Sequence, residues 1–149
     1  MPTPQTILLV DDDEPLALLI AELLRGEGHQ VWTARNGLDG YLSYYRYQTA
    51  MVVTDIEMPE LDGFEMMRCI RVINSCVNTI YMSGAAEQYR QSLLAEAQQF
   101  GAAVLRKPFA AIHLLNLIGF SSGQTSKIRS SSSYEWLDNQ GKLGWKEAV

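Results

Sequence analysis

The sequence predicts an α/β fold in which five parallel strands form one sheet wrapped on both faces by helices. Three observations predict it. Short apolar runs alternate with helix-like amphipathic stretches of about ten residues, five times in succession. The runs are continuous rather than alternately apolar and polar, which suits strands buried on both faces. Four of the five end abruptly in residues with chemical capacity: Asp11-Asp12, Asp55, Ser83 and Lys107.

Taken in order, Ile7–Val10 is the first strand, and Asp11-Asp12-Asp13 follow it. Leu16–Leu24 carries apolar residues at helical spacing, with Glu14-Pro15 at its start, where proline is tolerated. Gly26 and Gly28 end that helix. Gln30–Ala34 reads as the second strand and Leu38–Tyr47 as the second helix. Tyr41, Tyr44, Tyr45 and Tyr47 on that helix read as amphipathic side chains partly covering the sheet, the alternative being a partner surface.

Met51–Asp55 is the third strand, four apolar or β-branched residues closed by a carboxylate. Pro59 stops the pairing and Asp62-Gly63 opens a helix over Phe64–Ile73. Asp62 serves as N-cap, with Glu65 three residues on, as a capping box requires. Thr79–Met82 is the fourth run, ending in Ser83-Gly84. Glu87–Phe100 is a helix with Leu93, Leu94, Ala97 and Phe100 on one side, stopped by Gly101. Ala103–Leu105 is the fifth run, ending in Arg106-Lys107-Pro108, and Phe109–Ile118 is the last helix. Right-handed crossovers place helices on both faces, giving a flavodoxin-like (βα)5 doubly wound sheet of order 2-1-3-4-5.

The composition shifts after Ile118. Residues 1–118 form one domain. Gly119–Ser133 is a Ser- and Gly-rich linker, and Tyr134–Val149 is a short tail carrying Trp136, Leu137, Leu143 and Trp145. That tail is too short to fold alone and reads as a docking or self-packing segment, with no output domain. The 149-residue chain is 47% hydrophobic and 19% charged, as expected of a soluble globular protein. Through Ile118 there are 8 Lys/Arg against 14 Asp/Glu, and beyond it 4 against 3, so no basic patch supports direct nucleic-acid binding. No apolar run is long enough to span a bilayer and the first residues lack a secretory pattern, so the expectation is a cytoplasmic protein with no membrane partner. Cys69 and Cys76 fit reduced thiols. His29 and His113 lack metal-site spacing and read as surface or edge residues.

In a parallel sheet the ends of all strands point the same way. The fold therefore gathers Asp11, Asp12, Asp55, Ser83 and Lys107 into one pocket. Three neighbouring carboxylates repel one another and call for a counter-ion, and oxygen ligands with room for water suit Mg²⁺ or Mn²⁺. A carboxylate at Asp55 can attack a phosphoryl group to give an aspartyl phosphate. The metal and Lys107 would neutralise charge on the phosphoryl oxygens, and the Ser83 hydroxyl can donate a hydrogen bond to the product. Asp13 reads as a helix-capping or solvated residue.

From about Thr6 to Ile118 these residues resemble the receiver domain of two-component response regulators, a CheY-like family. The motifs are Asp11-Asp12, then Thr54-Asp55 with Met58-Pro59 and Asp62-Gly63, then Ser83-Gly84, then Lys107-Pro108-Phe109. Each is weak alone; all of them in this order, at these strand ends, are specific. The resemblance implies that Asp55 is the phosphoacceptor. It also implies that Asp12, Asp55 and the backbone carbonyl of Glu57 ligate Mg²⁺ directly, and that Asp11 does so through water. Lys107 would pair with the phosphate, and its bond to Pro108 would be cis. The implied donor is a histidine kinase or phosphotransfer protein, and the signal would leave through the surface of helix 4, strand 5 and helix 5 to an unknown downstream protein. A homodimer is possible. Such a domain is not an enzyme beyond catalysing its own phosphorylation and dephosphorylation.

The chain departs from the family where an aromatic residue usually precedes the lysine by three; here that position is Val104. This puts the usual aromatic switch in question but not the phosphorylation. Two other readings compete. One is a receiver-like interaction module that is never phosphorylated. The other is a Mg²⁺-dependent phosphohydrolase with an aspartyl nucleophile, although such enzymes usually place that residue on the first strand and carry a cap.

Overall fold

The apolar runs form strands at the predicted places in the computed structural model, which describes residues 3–121, 136–137 and 143–144. The strands are β1 (Thr6–Val10), β2 (Gln30–Ala34), β3 (Met51–Asp55), β4 (Asn78–Ser83) and β5 (Ala103–Arg106). They pair in parallel in the order β2-β1-β3-β4-β5, the doubly wound arrangement expected. The register sets Val10 beside Thr54, Asp55 beside Met82 and Ser83 beside Arg106. The chemically equipped ends of β1, β3, β4 and β5 are therefore level at one edge of the sheet.

The helices are α1 (Glu14–Gly26), α2 (Gly37–Tyr47), α3 (Gly63–Ile73), α4 (Arg90–Phe100) and α5 (Ala111–Ser121). Alternate strand residues feed two cores. Leu8, Val10, Val52, Tyr81 and Val104 pack with Tyr44, Met66, Ile70 and Leu93 of α2, α3 and α4. Ile7, Leu9, Met51, Val53 and Met82 pack with Ile20, Leu24, Leu114 and Leu117 of α1 and α5.

Local chemistry starts the helices. Asp13 caps α1 by accepting the Leu16 N–H at 3.1 Å, with Pro15 in the first turn, which bears out the capping role read for Asp13. The Asp62/Glu65 capping box at α3 is complete, with Glu65 N–H to Asp62 at 2.8 Å and Asp62 N–H to Glu65 at 3.2 Å.

Four expectations change. The helix predicted over Glu87–Phe100 is divided into a 3₁₀ turn, Ala86–Tyr89, and then α4. Ala85 cannot cap the turn with its side chain, and the Gln88 N–H closes a tight bond to the Ala85 carbonyl at 3.0 Å. The last helix begins at Ala111 rather than Phe109, because Phe109 packs into the α1/α5 core before the helix starts. It continues through Gly119 to Ser121, since one glycine weakens a helix by only about 1 kcal/mol. His29 adjoins the edge strand β2, as one of the two readings had it, but it is not on the surface: it is 5% exposed and its Nδ1 accepts the Gln5 N–H at 2.9 Å. Burial lowers its pKa, against an opposing pull from Glu27. Of the four tyrosines, Tyr44 is fully buried and hydrogen-bonds Asn74, Tyr41 packs partly against the core and Tyr47 stacks on Trp32 with ring centroids 4.8 Å apart. Tyr45 is exposed. The linker beyond Ser121 and most of the tail lie outside the described residues; within the tail, Trp136–Leu137 pairs antiparallel with Leu143–Gly144.

A polar seam joins α3 to α4. Arg71 forms a buried ion pair with Glu96, their side chains 6% and 12% exposed. The guanidinium also lies 3.7 Å from the Phe100 ring centroid and 3.4 Å from the Thr79 hydroxyl. Removing one partner of such a pair strands a buried charge. Glu96→Ala should therefore cost about 3–5 kcal/mol. Urea denaturation should show this loss, and it should largely disappear when Arg71→Met is added.

Candidate functional site

Asp11 is the first residue beyond β1, and its N–H extends the ladder to the Ala34 carbonyl at 3.1 Å. Its buried carboxylate accepts from Lys107 Nζ at 2.8 Å through Oδ2 and from the Asp13 N–H at 3.0 Å through Oδ1. Asp12 is exposed at the mouth. Asp55 closes β3, partly buried, with Oδ1 accepting the Ile56 N–H at 2.8 Å and Oδ2 lying 3.5 Å from Lys107 Nζ. Lys107 thus reaches from β5 to the ends of both β1 and β3.

The loop after Asp55 closes tightly. The Gly63 N–H donates to the Ile56 carbonyl at 2.8 Å, and a Cβ on Gly63 would stand 2.4 Å from the Asp55 carbonyl oxygen. Glycine is what lets α3 begin so close to Asp55. Ser83 is buried at the end of β4. Its Oγ accepts the Ala85 N–H at 3.0 Å, and its carbonyl accepts the Lys107 N–H at 2.8 Å, which ties the two loops together. The Lys107-Pro108 bond is cis, as expected.

The structure brings the side chains of Asp11, Asp12, Asp55 and Lys107 together, and Ser83 stands at the neighbouring strand end with its carbonyl bonded to the Lys107 N–H. One oxygen from each of Asp11, Asp12 and Asp55 lies within 4.8 Å of the others, an all-oxygen donor set that fits a hard divalent cation. Desolvation pushes the Asp55 carboxyl up to about 6; Asp11 and Asp12 add to the rise, while Lys107 and the Ile56 N–H oppose it. For Lys107, burial pulls downward, but the hydrogen bond and charge of Asp11 and the charge of Asp55 outweigh it and its pKa is raised.

Two residues near the site are not among those the sequence reading singled out. Tyr89, at the end of the 3₁₀ turn, donates its hydroxyl to Glu57 Oε1 at 2.7 Å, and that hydrogen bond is the first cause raising the phenol to about 12. Tyr81 on β4 is fully buried and pairs in register with Val104, so a ring fills the core one strand from the position where the family aromatic is missing. Its hydroxyl lies beside Arg71 and Glu96 without a well-aligned hydrogen bond to either. Period two along β4 places Tyr81 on the face of Ser83, a signal available in the sequence; nothing in the spacing pairs Tyr89 with Glu57.

Acids, a hydroxyl and a lysine at the carboxyl edge of a parallel (βα)5 sheet define a phosphoryl-accepting module. Comparison with known proteins places the chain within that class. A family model described as the response regulator receiver domain matches residues 7–119, and the chain belongs to that family. It is 32% identical over 114 residues to chemotaxis protein CheY of Bacillus subtilis, spanning 75% of this chain and 92% of that one. It is 29% identical over 106 residues to sporulation initiation phosphotransferase F of the same organism, spanning 70% and 83%. Among solved structures, a receiver domain protein from Clostridium thermocellum superposes with a TM-score of 0.72 at 27% identity, covering 80% of this chain and 94% of that one. The receiver domain of sensor histidine kinase PA1611 from Pseudomonas aeruginosa has a TM-score of 0.70 at 27% identity, covering 81% and 99%; that protein holds a magnesium ion in its active site cleft. The chain is accordingly a phosphoacceptor module of two-component signalling, and receiver domains are signalling modules rather than conventional enzymes. Among the described residues no helix is long and apolar enough to cross a membrane.

The raised Asp55 pKa has a consequence for stability. The folded protein holds a proton on Asp55 between about pH 4 and pH 6 that the unfolded chain has lost, so ionised Asp55 destabilises the metal-free fold above about pH 6. Solvent screening trims the full effect of the shift to about 1 kcal/mol. In EDTA, Asp55→Asn should raise stability by about that much at pH 8. Urea unfolding should show the gain shrinking as pH falls through about 6 and vanishing near pH 4.

Proposed function

We propose that Asp55 takes a phosphoryl group from a histidine kinase or phosphotransfer protein, and that the resulting change is read on the surface of α4, β5 and α5 by a downstream protein. One observation carries the assignment: the Asp55 carboxylate ends a buried strand with Lys107 Nζ 3.5 Å away and the Asp11/Asp12 pair beside it.

The residues account for the chemistry. A carboxylate oxygen of Asp55 forms a bond to phosphorus while the bond to the donor's leaving nitrogen breaks and the donor keeps that electron pair. The Lys107 ammonium, already held by Asp11, has donors to offer a phosphoryl oxygen without travelling far. Ser83 accepts from the Ala85 N–H, so its own proton is available to a second phosphoryl oxygen. Asp11, Asp12, Asp55 and the Glu57 carbonyl would hold Mg²⁺ or Mn²⁺. When bound, the cation would offset the acids' repulsion and charge on the phosphoryl oxygens. Hydrolysis of the acyl phosphate by water in the same pocket would make the domain its own phosphatase. We read the setting as cytoplasmic, and residues 119–149 as a linker with a short docking or self-packing tail.

Intact-protein mass spectrometry tests the assignment. Acetyl phosphate with Mg²⁺ should add one phosphate, Asp55→Asn should add none, and Asp12→Ala should need far more Mg²⁺. Equal labelling of the Asn variant would reject Asp55, and a wild type that takes up no phosphate would favour a receiver-like interaction module.

The output route starts at Ser83. With Val104 on β5 there is no ring on that strand to swing, whereas a Ser83 hydroxyl drawn to phosphate would release the Ala85 N–H at the start of the 3₁₀ turn. Ser83→Ala should keep most of the Asp55 labelling yet lose most of the beryllofluoride-induced NMR shifts on α4. Shifts equal to wild type would place the route elsewhere.

A further inference from the structure

Two of the three carboxylates, those of Asp11 and Asp55, are partly committed within the protein. Both oxygens of Asp11 accept hydrogen bonds, from Lys107 and from the Asp13 N–H, and Asp55 Oδ1 accepts the Ile56 N–H. A hard cation in such a cluster leans more on neutral oxygens such as backbone carbonyls. The Glu57 carbonyl is such an oxygen on the loop that leaves the acceptor.

That loop is pinned on both sides of Glu57, because Ile56 is fully buried and Met58 nearly so. Glu57 itself is exposed, and its side chain is held by the Tyr89 hydroxyl at 2.7 Å, a charge-assisted bond between segments 32 residues apart. Tyr89 is itself supported. Its ring stands edge-on to Phe64, with centroids 5.9 Å apart, and Phe64 leans on the buried Tyr81 ring at 5.0 Å. A row of three rings thus runs from the sheet to Glu57.

We propose that Tyr89 is a positioning residue for the divalent-metal site, holding Glu57 so that its main-chain carbonyl stays turned toward the acid cluster. The inference rests on the reading that Asp11, Asp12 and Asp55 hold such a cation. It makes the loop after β4 a contributor to metal affinity, although that loop supplies no ligand.

Mn²⁺ titration of the full chain, followed by electron paramagnetic resonance, tests it without phosphorylation. Tyr89→Phe keeps the ring row and removes one hydroxyl, so the metal-free melting temperature should stay unchanged while Mn²⁺ binding weakens about fivefold. Glu57→Gln keeps an acceptor for Tyr89 and should bind near wild type, whereas Glu57→Ala should weaken like Tyr89→Phe. The Tyr89→Phe/Glu57→Ala double variant should be no worse than Glu57→Ala alone. Wild-type affinity in Tyr89→Phe, strictly additive losses, or a Glu57→Gln loss as large as that of Glu57→Ala would each overturn the proposal. Asp12→Ala serves as the separate control: if it binds Mn²⁺ as tightly as wild type, the metal reading itself fails, and the inference with it.

Discussion

Lys107 is the point on which the site depends. One ammonium group just beyond β5 stands 2.8 Å from the carboxylate of Asp11, just beyond β1, and 3.5 Å from that of Asp55 at the end of β3. Without a cation there, the acids would repel each other in partly desolvated surroundings, and the level strand ends would gather only like charge. Burial, ahead of the neighbouring acids, still keeps the pKa of Asp55 raised despite the pull of Lys107. The pocket is left with a surplus of negative charge that suits a further cation. The chemistry and its cost to stability therefore share one origin, the partial burial of an acid at a sheet edge beside other acids.

The fold and most of the site were legible in the sequence for the same reason. A parallel sheet demands continuous apolar runs, so each reactive residue that ended a run was marked by the contrast. Asp11, Asp55, Ser83 and Lys107 were found this way, and the capping box at Asp62 and Glu65 marked the start of α3. What escaped lies in contacts that no local pattern encodes. His29 is a polar residue beside a strand edge, and its burial comes from the Gln5 segment laid across it, 24 residues away in the chain. Tyr89 and Glu57 meet across 32 residues. The division of the predicted Glu87–Phe100 helix depends on the missing cap at Ala85, where periodicity alone reads one amphipathic stretch.

The α3/α4 side shows how the core adjusts to Val104. In register with it stands Tyr81, fully buried, and around that ring gather Phe64, Arg71 and Glu96. A bulky residue on β4 and a small one on β5 interdigitate as neighbours in a dense core do. The buried Arg71–Glu96 pair then specifies how α4 sits over α3, because a shifted helix would leave two charges unpaired. A receiver built this way carries its aromatic bulk on the strand that bears Ser83.

Enclosure of Lys107 also separates two responses to ionic strength. Its side chain is 21% exposed and that of Asp11 not at all, so dissolved salt reaches their pairing poorly. The outer surface is different. The segment through Ile118 carries 14 acidic against 8 basic side chains, and its field extends only about 8 Å at physiological salt. Added salt therefore screens the acidic outer surface from any basic partner while leaving the enclosed Lys107–Asp11 pair largely intact.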